Sequence, residues 1–422
     1  MSSVVLRKDI HEKIDQIAKA DILVGIPSFN NARTIGHVVK AVQAGFVKYF
    51  PRKKCVLVNS DGGSTDGTME TVQNTALEDT QSILLSHRKE KALTIATPYH
   101  GIPGKGSAFR TIFEIAEMLD VKACAVVDSD LRSITPEWIE LLIKPILENR
   151  LDYVAPLYHR HKYDGTITNS IIYPITRALY GKRVRQPIGG DFGFSGDLAR
   201  FYLTKDVWET DVARYGIDIW MTTTAIANNF RVCQSFLGAK IHDPKDPGAD
   251  LSAMLFQVVG ATFDLMETYA DMWSRVQGSE SVPVFGFEYA VGVEPVSVNV
   301  ERMIDKFRLG VHELADIWKE VLPDDILEFL RNVGSLPKEQ FRIPDEIWVA
   351  IIFSFAAAAH KKTINKEHLL KSLTPLYIGR TASFVLETWG SDAQEVEDKI
   401  ERLCAAFENR KSFLREVWNF VK

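Results

Sequence analysis

Short apolar runs alternate with segments of helical periodicity between residues 21 and about 245, and this alternation limits the possible folds more than any other feature of the chain. After the first run, for example, Val38, Val42 and Phe46 recur at helical spacing. Such alternation is typical of β-α-β units, in which helices cover both faces of a parallel sheet. We therefore predict an α/β fold with a mostly parallel sheet and helices on both faces. The expected strands lie at residues 21–26, 55–58, 93–96, 123–127 and 153–155.

Helical patterns dominate the chain after about residue 245, where strand-like runs nearly vanish. Prolines separate these patterns, as expected at helix ends, and Pro375 is one of them. We predict an α-helical C-terminal region over residues 246–422, which could cover a binding site or pair two copies of the chain in a homodimer. The expected helices lie at residues 253–273, 301–321, 345–359 and 392–421.

The first twenty residues form the third predicted part of the chain. They contain no long apolar stretch before a small-residue cleavage site, so a secretory signal is not indicated. Apolar residues recur there at helical spacing, which predicts a short amphipathic N-terminal helix over residues 1–20. The intervening residues, 21–245, are the predicted catalytic domain. The apolar face of the helix consists of Val5, Ile10, Ile14 and Ile17.

The composition excludes several classes of protein. The formal net charge of −5 argues against nucleic-acid binding through bulk positive charge. The four cysteines show no C-x-x-C spacing, which argues against a disulfide scaffold or a zinc cluster and favours a reducing, cytoplasmic compartment. The longest apolar run, residues 347–359, is shorter than the roughly 20 residues that a membrane span needs. We therefore expect a buried helix there, and no transmembrane span.

Two aspartates one residue apart follow the fourth predicted strand. Asp128 and Asp130 flank Ser129 directly after the apolar run at 123–127. In open α/β sheets ligands bind beyond the carboxyl ends of the strands, and paired carboxylates suit a hard divalent cation that keeps other ligands from substrate phosphates. The alternative is a turn or a helix N-cap, which the same residue types favour.

A glycine-rich segment follows the third predicted strand. Residues 101–107 read GIPGKGS and open a helical pattern, so their backbone and the helix N-terminus could face a phosphate, with Lys105 adding a positive charge. The spacing is not that of a P-loop. The alternative is a flexible loop without a ligand.

Polar loops also follow the first two predicted strands, and we expect them at the same sheet edge as Asp128. The first loop reads PSFNN over residues 27–31, and the second reads SDGGSTD over residues 60–66. Asp61 could accept hydrogen bonds from a nucleobase or a ribose. An Asx-turn would use the same carboxylate equally well.

Taken together and in this order, these motifs resemble nucleotide-sugar glycosyltransferases of the GT-A fold. The narrower likeness is to the retaining glucosyl-3-phosphoglycerate synthases and their mannosylglycerate-synthase relatives. It covers residues 21 to about 265. Three further segments resemble this group: QPIGGD at 186–191 is similar to its acceptor loop, YGIDI at 215–219 to its Tyr-Gly-Val-Glu-Ile segment, and GAKIH at 238–242 to the strand that ends in a metal-binding histidine.

The resemblance implies a role for each matching residue. Asp128, Asp130 and His242 would bind a divalent cation, Mg²⁺ or Mn²⁺. Lys105 would contact the nucleotide or its phosphates, and Asp218 would hydrogen-bond the hydroxyls of the donor sugar. The residues that would hold the nucleotide sugar are Pro27, Ser28, Phe29, Asn31, Asp61, Lys105, Asp128, Ser129, Gly189 and Gly190.

The acceptor side departs from the family pattern. Thr166 stands where the phosphoglycerate enzymes are expected to have an arginine, so an acidic acceptor needs a cation from elsewhere. Arg160, His161 and Lys162 could supply it, or they could form a solvated charge run. The acceptor could therefore be glycerate, 3-phosphoglycerate or an unrelated molecule. The residues expected to bind it are Arg160, Thr168, Asn169 and Asp191.

The predicted reaction is transfer of a hexose from a nucleoside-diphosphate sugar, UDP-glucose or GDP-mannose, to a small hydroxy acid. The cation and Lys105 would neutralise the departing diphosphate. The resemblance implies retention of configuration, whereas inversion would require a carboxylate base, for which Asp218 and Asp191 are the candidates. The alternative functions are a sugar-nucleotide nucleotidylyltransferase and a non-catalytic nucleotide-sugar-binding protein.

Overall fold

The computed structural model describes residues 6–75, 93–99, 101–242, 251–288 and 292–418. The chain divides into two compact units, which are described separately. The first unit comprises Met1–His159, Gln186–Asp243 and Val282–Val293. The second comprises Arg160–Arg185, Pro244–Ser281 and Glu294–Lys422.

An eight-stranded sheet forms the centre of the first unit. The strand order is β10-β8-β5-β7-β4-β1-β2-β3, and all neighbouring pairs are parallel except the two that involve β7. This confirms the predicted α/β class with its mostly parallel sheet. The strands are β1 (Ile22–Ser28), β2 (Cys55–Asp61), β3 (Leu93–Pro98), β4 (Ala123–Val126), β5 (Tyr153–His159), β7 (Phe192–Ser195), β8 (Val232–Ala239) and β10 (Val284–Phe285).

Helices cover both faces of this sheet, as the continuous apolar strands predict. On one face, Val24 of β1 belongs to a core that includes Val42 and Ile139 from two helices. On the other face, Gly25 lies so close to Ile112 that no Cβ would fit. Residues 68–75 are helical, and the helices of the unit with both ends among the described residues are Lys8–Ile17, Ile35–Tyr49, Lys105–Met118, Pro136–Asn149, Gly196–Leu203 and Ile217–Ala227.

The N-terminal helix is confirmed at Lys8–Ile17, where Ile10, Ile14 and Ile17 are buried. Val5 lies outside the described residues. The four residues of β7 were not predicted as a strand. They are too few to show a periodic pattern, and β7 is a strand because β4 and β5 pair with it from both sides.

The second unit is almost entirely helical, as predicted for the C-terminal region. Its two short strands, β6 (Lys182–Arg183) and β9 (Glu280–Ser281), pair only with each other. Within the described residues, every helix is too short or too polar to pass through a lipid bilayer. The helices are Tyr173–Tyr180, Ser252–Thr268, Ala270–Trp273, Val300–Glu313, Ala315–Lys319, Asp324–Ser335, Asp345–Lys361, Lys366–Thr388, Ala393–Asn409 and Lys411–Val417, with a π-helix at Thr168–Ile172.

One proline contradicts its predicted role as a helix end. Pro375 lies inside the helix Lys366–Thr388, which the sequence did not predict. Proline in a helix interior costs a hydrogen bond, so tertiary contacts must stabilise the helix there. Gly310 of a neighbouring helix packs directly against the proline ring, and the Trp318 indole donates to the Ser372 carbonyl at 3.1 Å.

The two units depart from the predicted boundaries at two segments. Residues 160–185 belong to the helical unit, because the helix Tyr173–Tyr180 packs against Ala393–Asn409. Val282–Val293 belongs to the sheet unit, because β10 pairs with β8. Both assignments depend on contacts between residues distant in sequence.

Candidate active site

The carboxyl ends of β1, β2 and β4 meet at one edge of the sheet. Ser28, the last residue of β1, pairs in register with Asp61, the last residue of β2. Asp128 follows two residues after β4, which pairs with β1 in parallel. The structure therefore brings together the polar loops that the sequence places after these strands.

Asp61 is fully buried, and its carboxylate is hydrogen-bonded to neighbouring residues of the protein. Its carboxylate accepts hydrogen bonds from the Ser28 hydroxyl at 2.8 Å, from the amides of Gly63 and Ser64 at 2.9 and 2.7 Å, and from the Ser64 hydroxyl at 2.7 Å. These are the bonds of the Asx-type turn that the sequence left open as an alternative. The turn holds the loops after β1 and β2 in one fixed arrangement.

The loop after β1 combines a tethered amide with an exposed ring. The Asn31 side-chain oxygen accepts from the Phe29 amide at 3.0 Å and from the Ser129 hydroxyl at 2.8 Å. This links the loop to the segment between Asp128 and Asp130. Phe29 itself is 61% exposed, which is unusual for a large aromatic side chain beside a buried polar loop.

Lys105 is the first residue of the helix Lys105–Met118, as the glycine-rich segment predicts. The glycines on either side of it have a packing role. A Cβ on Gly104 or Gly106 would collide with the backbone of residues 212–214, so only glycine lets the helix start approach that segment. The close approach places the Lys105 side chain in the centre of the site.

Two lysines and three aspartates form a buried group that we call the lysine–aspartate cluster: Lys105, Lys240, Asp128, Asp191 and Asp218. Within it, the Lys105 ammonium lies 2.8 Å from Asp128 Oδ1 and 3.2 Å from Asp218 Oδ1. Asp218 stands in the first turn of the helix Ile217–Ala227, and its Oδ1 accepts no hydrogen bond among the described residues.

Lys240 is the member of the cluster that the sequence did not identify. It follows β8, which ends at Ala239, and its side chain is only 4% exposed. The ammonium donates to Asp128 Oδ2 at 2.7 Å, to the Gly189 carbonyl at 2.7 Å and to Asp191 Oδ2 at 2.8 Å. The sequence did offer one signal for Lys240, which lies two residues before the predicted ligand His242. Alternate residues of an extended segment lie on the same side of the chain.

Asp191 is completely buried at the start of β7. Besides Lys240, its carboxylate accepts from the backbone amide of Asp128 at 2.8 Å and from the Tyr158 hydroxyl. Gly190, with a φ of 89°, occupies a space in which a Cβ would collide with Asp128 Oδ2. The Gly-Gly-Asp segment therefore packs directly against Asp128.

The cluster shifts the pKa values of its members in opposite directions. Burial alone would raise the pKa of Asp128, but the ammoniums of Lys105 and Lys240 hold it well below its ordinary value. Burial raises the pKa of Asp191 and of Asp218, and the neighbouring lysines offset only part of that rise. The pKa of Lys105 is raised because Asp128 and Asp218 outweigh its burial. Three carboxylates thus share two ammoniums.

The predicted cation ligands fit a divalent metal only in part. Both oxygens of Asp128 are bound by ammoniums, and among the residues that the structure describes no group of three or more His, Cys, Asp or Glu side chains could hold a metal. The other two predicted ligands are the Asp130 carboxylate, which suits Mg²⁺ or Mn²⁺ when substrate phosphates supply further ligands, and the His242 imidazole, which suits softer metals better.

Three of the predicted acceptor residues belong to the second unit. The Arg160 guanidinium lies 3.1 Å from the Asp164 carboxylate, and Thr168 is buried at the start of the π-helix. Asn169 accepts a 2.9 Å hydrogen bond from Arg185, which the sequence did not identify. In this unit Lys162 donates to the backbone carbonyls of residues 388, 389 and 391 at the end of a helix, so it is engaged there.

Residues 23–208 match the family model described as Glycosyl transferase family 2. The matched residues, which include the sheet edge and most of the lysine–aspartate cluster, therefore resemble a glycosyltransferase domain. The predicted enzyme class and the resemblance to GT-A glycosyltransferases are thereby confirmed. The match covers somewhat less than half of the chain.

The solved structures similar to this chain include glucosyl-3-phosphoglycerate synthase from Mycobacterium tuberculosis in complex with Mg²⁺ and UDP. The two sequences are 20% identical, the TM-score is 0.43, and the match covers 60% of this chain and 83% of that chain. The same enzyme in complex with Mn²⁺, UDP-glucose and phosphoglyceric acid gives 20% identity, a TM-score of 0.44, and coverage of 61% and 83%. No curated protein sequence gives a significant match.

Proposed function

We propose that the protein transfers a hexose from a nucleoside-diphosphate sugar to a small hydroxy acid such as glycerate or 3-phosphoglycerate, with retention of configuration. The observation that carries this proposal is the buried lysine–aspartate cluster beyond the carboxyl ends of the strands, within a glycosyl transferase family 2 domain. Buried charges of this kind are costly for stability and are typical of functional sites.

The donor nucleoside would bind along the loops after β1 and β2, at Pro27, Ser28, Phe29 and Asn31, with the buried Asp61 holding these loops in place. The exposed ring of Phe29 supports this, because an aromatic face can stack on a base. UDP-glucose and GDP-mannose are the donors proposed. The Asx-type turn at Asp61 would keep this surface preformed, so little ordering is needed on binding.

Lys105 is the proposed cation for the diphosphate. Its side chain is 15% exposed, its contacts with Asp218 are long at 3.2 and 3.3 Å, and it lies 2.8 Å from Asp128 Oδ1. It would exchange these partners for a phosphate oxygen while Lys240 stays with Asp128. Asp130 and His242 would hold Mg²⁺ or Mn²⁺, which when bound would add positive charge against the diphosphate.

Asp218 would hold the donor sugar through its hydroxyls. Its Oδ1 is a buried acceptor without a hydrogen bond among the described residues, and such an atom is expected to be satisfied by a ligand. In a retaining transfer, the acceptor hydroxyl attacks the anomeric carbon on the leaving-group side. Its proton then passes to the departing phosphate oxygen, so no carboxylate base is required.

Asp191 is the acceptor residue proposed in the first unit, and the acceptor residues that the sequence predicts in the second unit are Arg160, Thr168 and Asn169. Arg160 supplies a positive charge for an acidic acceptor, although Asp164 shares it. We also propose a cytoplasmic location, which the four buried cysteines support because none forms a disulfide.

An assay of the purified chain tests this function. UDP-glucose and GDP-mannose are each incubated with Mg²⁺ or Mn²⁺ and with glycerate or 3-phosphoglycerate, and mass spectrometry identifies the product. We expect nucleoside diphosphate and a hexosyl acid. Lys105→Met should reduce kcat by about a hundredfold, because the leaving group loses a charge-assisted donor. Lys122→Met, which removes an exposed lysine at the opposite sheet edge, is the matched control.

Two outcomes would contradict the proposal. Release of pyrophosphate from a nucleoside triphosphate and a sugar phosphate would favour a nucleotidylyltransferase. Tight binding of a nucleotide sugar without transfer to any acceptor or to water would favour a non-catalytic binding protein.

A further inference from the structure

The Lys240 ammonium differs from the Lys105 ammonium in its hydrogen-bond partners. A lysine ammonium has three N–H bonds, and in Lys240 these meet three acceptors at 2.7–2.8 Å: Asp128 Oδ2, the Gly189 carbonyl and Asp191 Oδ2. No donor is left for a phosphate without breaking one of these bonds. Lys240 is therefore suited to hold protein groups rather than substrate.

The three acceptors come from two segments with different proposed tasks. Asp128 lies on the donor side, in the loop after β4. Gly189 and Asp191 lie in the loop 186–191, in which the proposed function assigns Asp191 to the acceptor. Lys240 follows a third segment, β8, and is buried between them. Its ammonium is thus a direct link between the donor side and the acceptor side.

The geometry of Gly190 makes this link sensitive to small movements. Gly190 passes so close to Asp128 Oδ2 and to the Lys240 ammonium that no Cβ fits, and its positive φ suits only glycine. Without the Lys240 ammonium, Asp191 would keep the Asp128 amide and the Tyr158 hydroxyl as donors, but its carboxylate would face that of Asp128 across this glycine with no cation bound to both. The loop 186–191 would then be displaced from Asp128.

We propose that Lys240 is a positioning residue that fixes the loop 186–191 against Asp128, so that the acceptor hydroxyl meets the anomeric carbon while Lys105 turns to the diphosphate. This inference rests on the proposed glycosyl transfer and adds to it a residue that binds neither phosphate nor sugar. A displacement of about 1 Å in such a loop is enough to cost about a hundredfold in rate.

Lys240→Met tests the inference, since it keeps most of the side-chain volume and removes the charge. We expect the acceptor KM to rise and kcat to fall, by at least about tenfold each, while the donor KM and UDP affinity stay within about twofold of wild type. Lys240→Arg should restore part of the acceptor KM, because a guanidinium can still donate to both carboxylates. An unchanged acceptor KM, or an equal loss of UDP affinity, would overturn the inference.

A second variant, in which one buried charge of each sign is removed, tests whether Lys240→Met acts only by destabilising the fold. In Lys240→Met with Asp191→Asn, one buried charge of each sign is removed, so the thermal midpoint should return towards that of wild type. The acceptor KM should stay above that of Asp191→Asn alone, because the link to Gly189 is still missing. An acceptor KM equal to that of Asp191→Asn alone would show that Lys240 only balances charge, and would contradict a positioning role.

Amide hydrogen exchange separates this inference from the proposed function, because it needs no substrate. In Lys240→Met, exchange should accelerate in the loop 186–191 and stay unchanged over residues 55–64, which Asp61 holds. Unchanged exchange in the loop would overturn the role of Lys240 whatever the wild-type chain transfers. Absence of any transfer by the wild-type chain would instead overturn the proposed function.

Discussion

Buried ion pairs occur in both units of the molecule, but they are built differently. In the second unit, the Arg177 guanidinium donates to Glu408 and Ser279 through Nε and to Glu401 through its Nη1, so it is bound on two sides. In the first unit, the lysine–aspartate cluster holds three carboxylates around two ammoniums, and Asp218 keeps an oxygen without a hydrogen bond among the described residues.

We propose that the difference separates an ion pair that stabilises a fold from a cluster that is arranged for a ligand. A guanidinium is a rigid fork that fixes its carboxylates, whereas an ammonium on a flexible stem can change partners. The carboxylates of Glu401 and Glu408 are 39% and 23% exposed, so water shares the cost of their charge. The Asp191 and Asp218 carboxylates are less exposed to water, and this burial raises the pKa of both.

The largest expected effect comes from Asp218→Asn in the first unit. We expect kcat to fall by about a hundredfold or more, because the donor sugar loses its buried acceptor. The free energy of unfolding should change by less than about 1 kcal/mol, because the variant also removes a buried charge that lacks a full set of partners. Steady-state kinetics and denaturant unfolding measure the two quantities. Asp206→Asn, at an exposed position, is the control.

A parallel loss of kcat and stability in Asp218→Asn would contradict this reading. It would place Asp218 with Arg177, among the groups that mainly hold the fold.

The converse is expected for Arg177→Met in the second unit. Its removal leaves two partly buried carboxylates without their cation, which should lower the free energy of unfolding by about 2–3 kcal/mol after allowance for their exposure. The kcat should stay within about twofold of wild type, since Arg177 has no proposed contact with substrate. Arg402→Met, on the exposed side of the helix Ala393–Asn409, is the matched control. A large loss of kcat at unchanged stability would reverse the comparison.

The smallest expected effect is a pH dependence at Lys411 in the second unit. Its ammonium donates to the Val276 carbonyl at 2.7 Å, and burial lowers its pKa from 10.5 to about 8. Between these values the unfolded chain binds more protons than the folded chain, so the free energy of unfolding should rise with pH. We expect a rise of about 1–2 kcal/mol from about pH 8 to about pH 9.5, relative to the same interval in Lys411→Met.

Urea unfolding of both chains across that interval measures the difference. A difference between wild type and Lys411→Met that does not change with pH, or that decreases, would show that the pKa of Lys411 is not lowered by folding.

The sequence predicted the parts of the site that follow apolar strands. Asp61 and Asp128 come directly after buried runs, and Lys105 opens a helix after the third, so local patterns place all three at one sheet edge. The sequence could not show how Asp61 is used, because the same residues favour an Asx-turn and a nucleoside contact. It also could not predict Pro375 within a helix, which packing against Gly310 supports.

The amino-acid sequence by itself determined the α/β class, the helical second part and the strand ends that carry Asp61 and Asp128, because hydrophobic periodicity and turn residues act over a few neighbouring positions. Only the tertiary structure decided that Lys240 joins Asp128, Gly189 and Asp191. These groups lie far apart along the chain, and no local pattern records which buried charges will meet once the sheet brings its strands together.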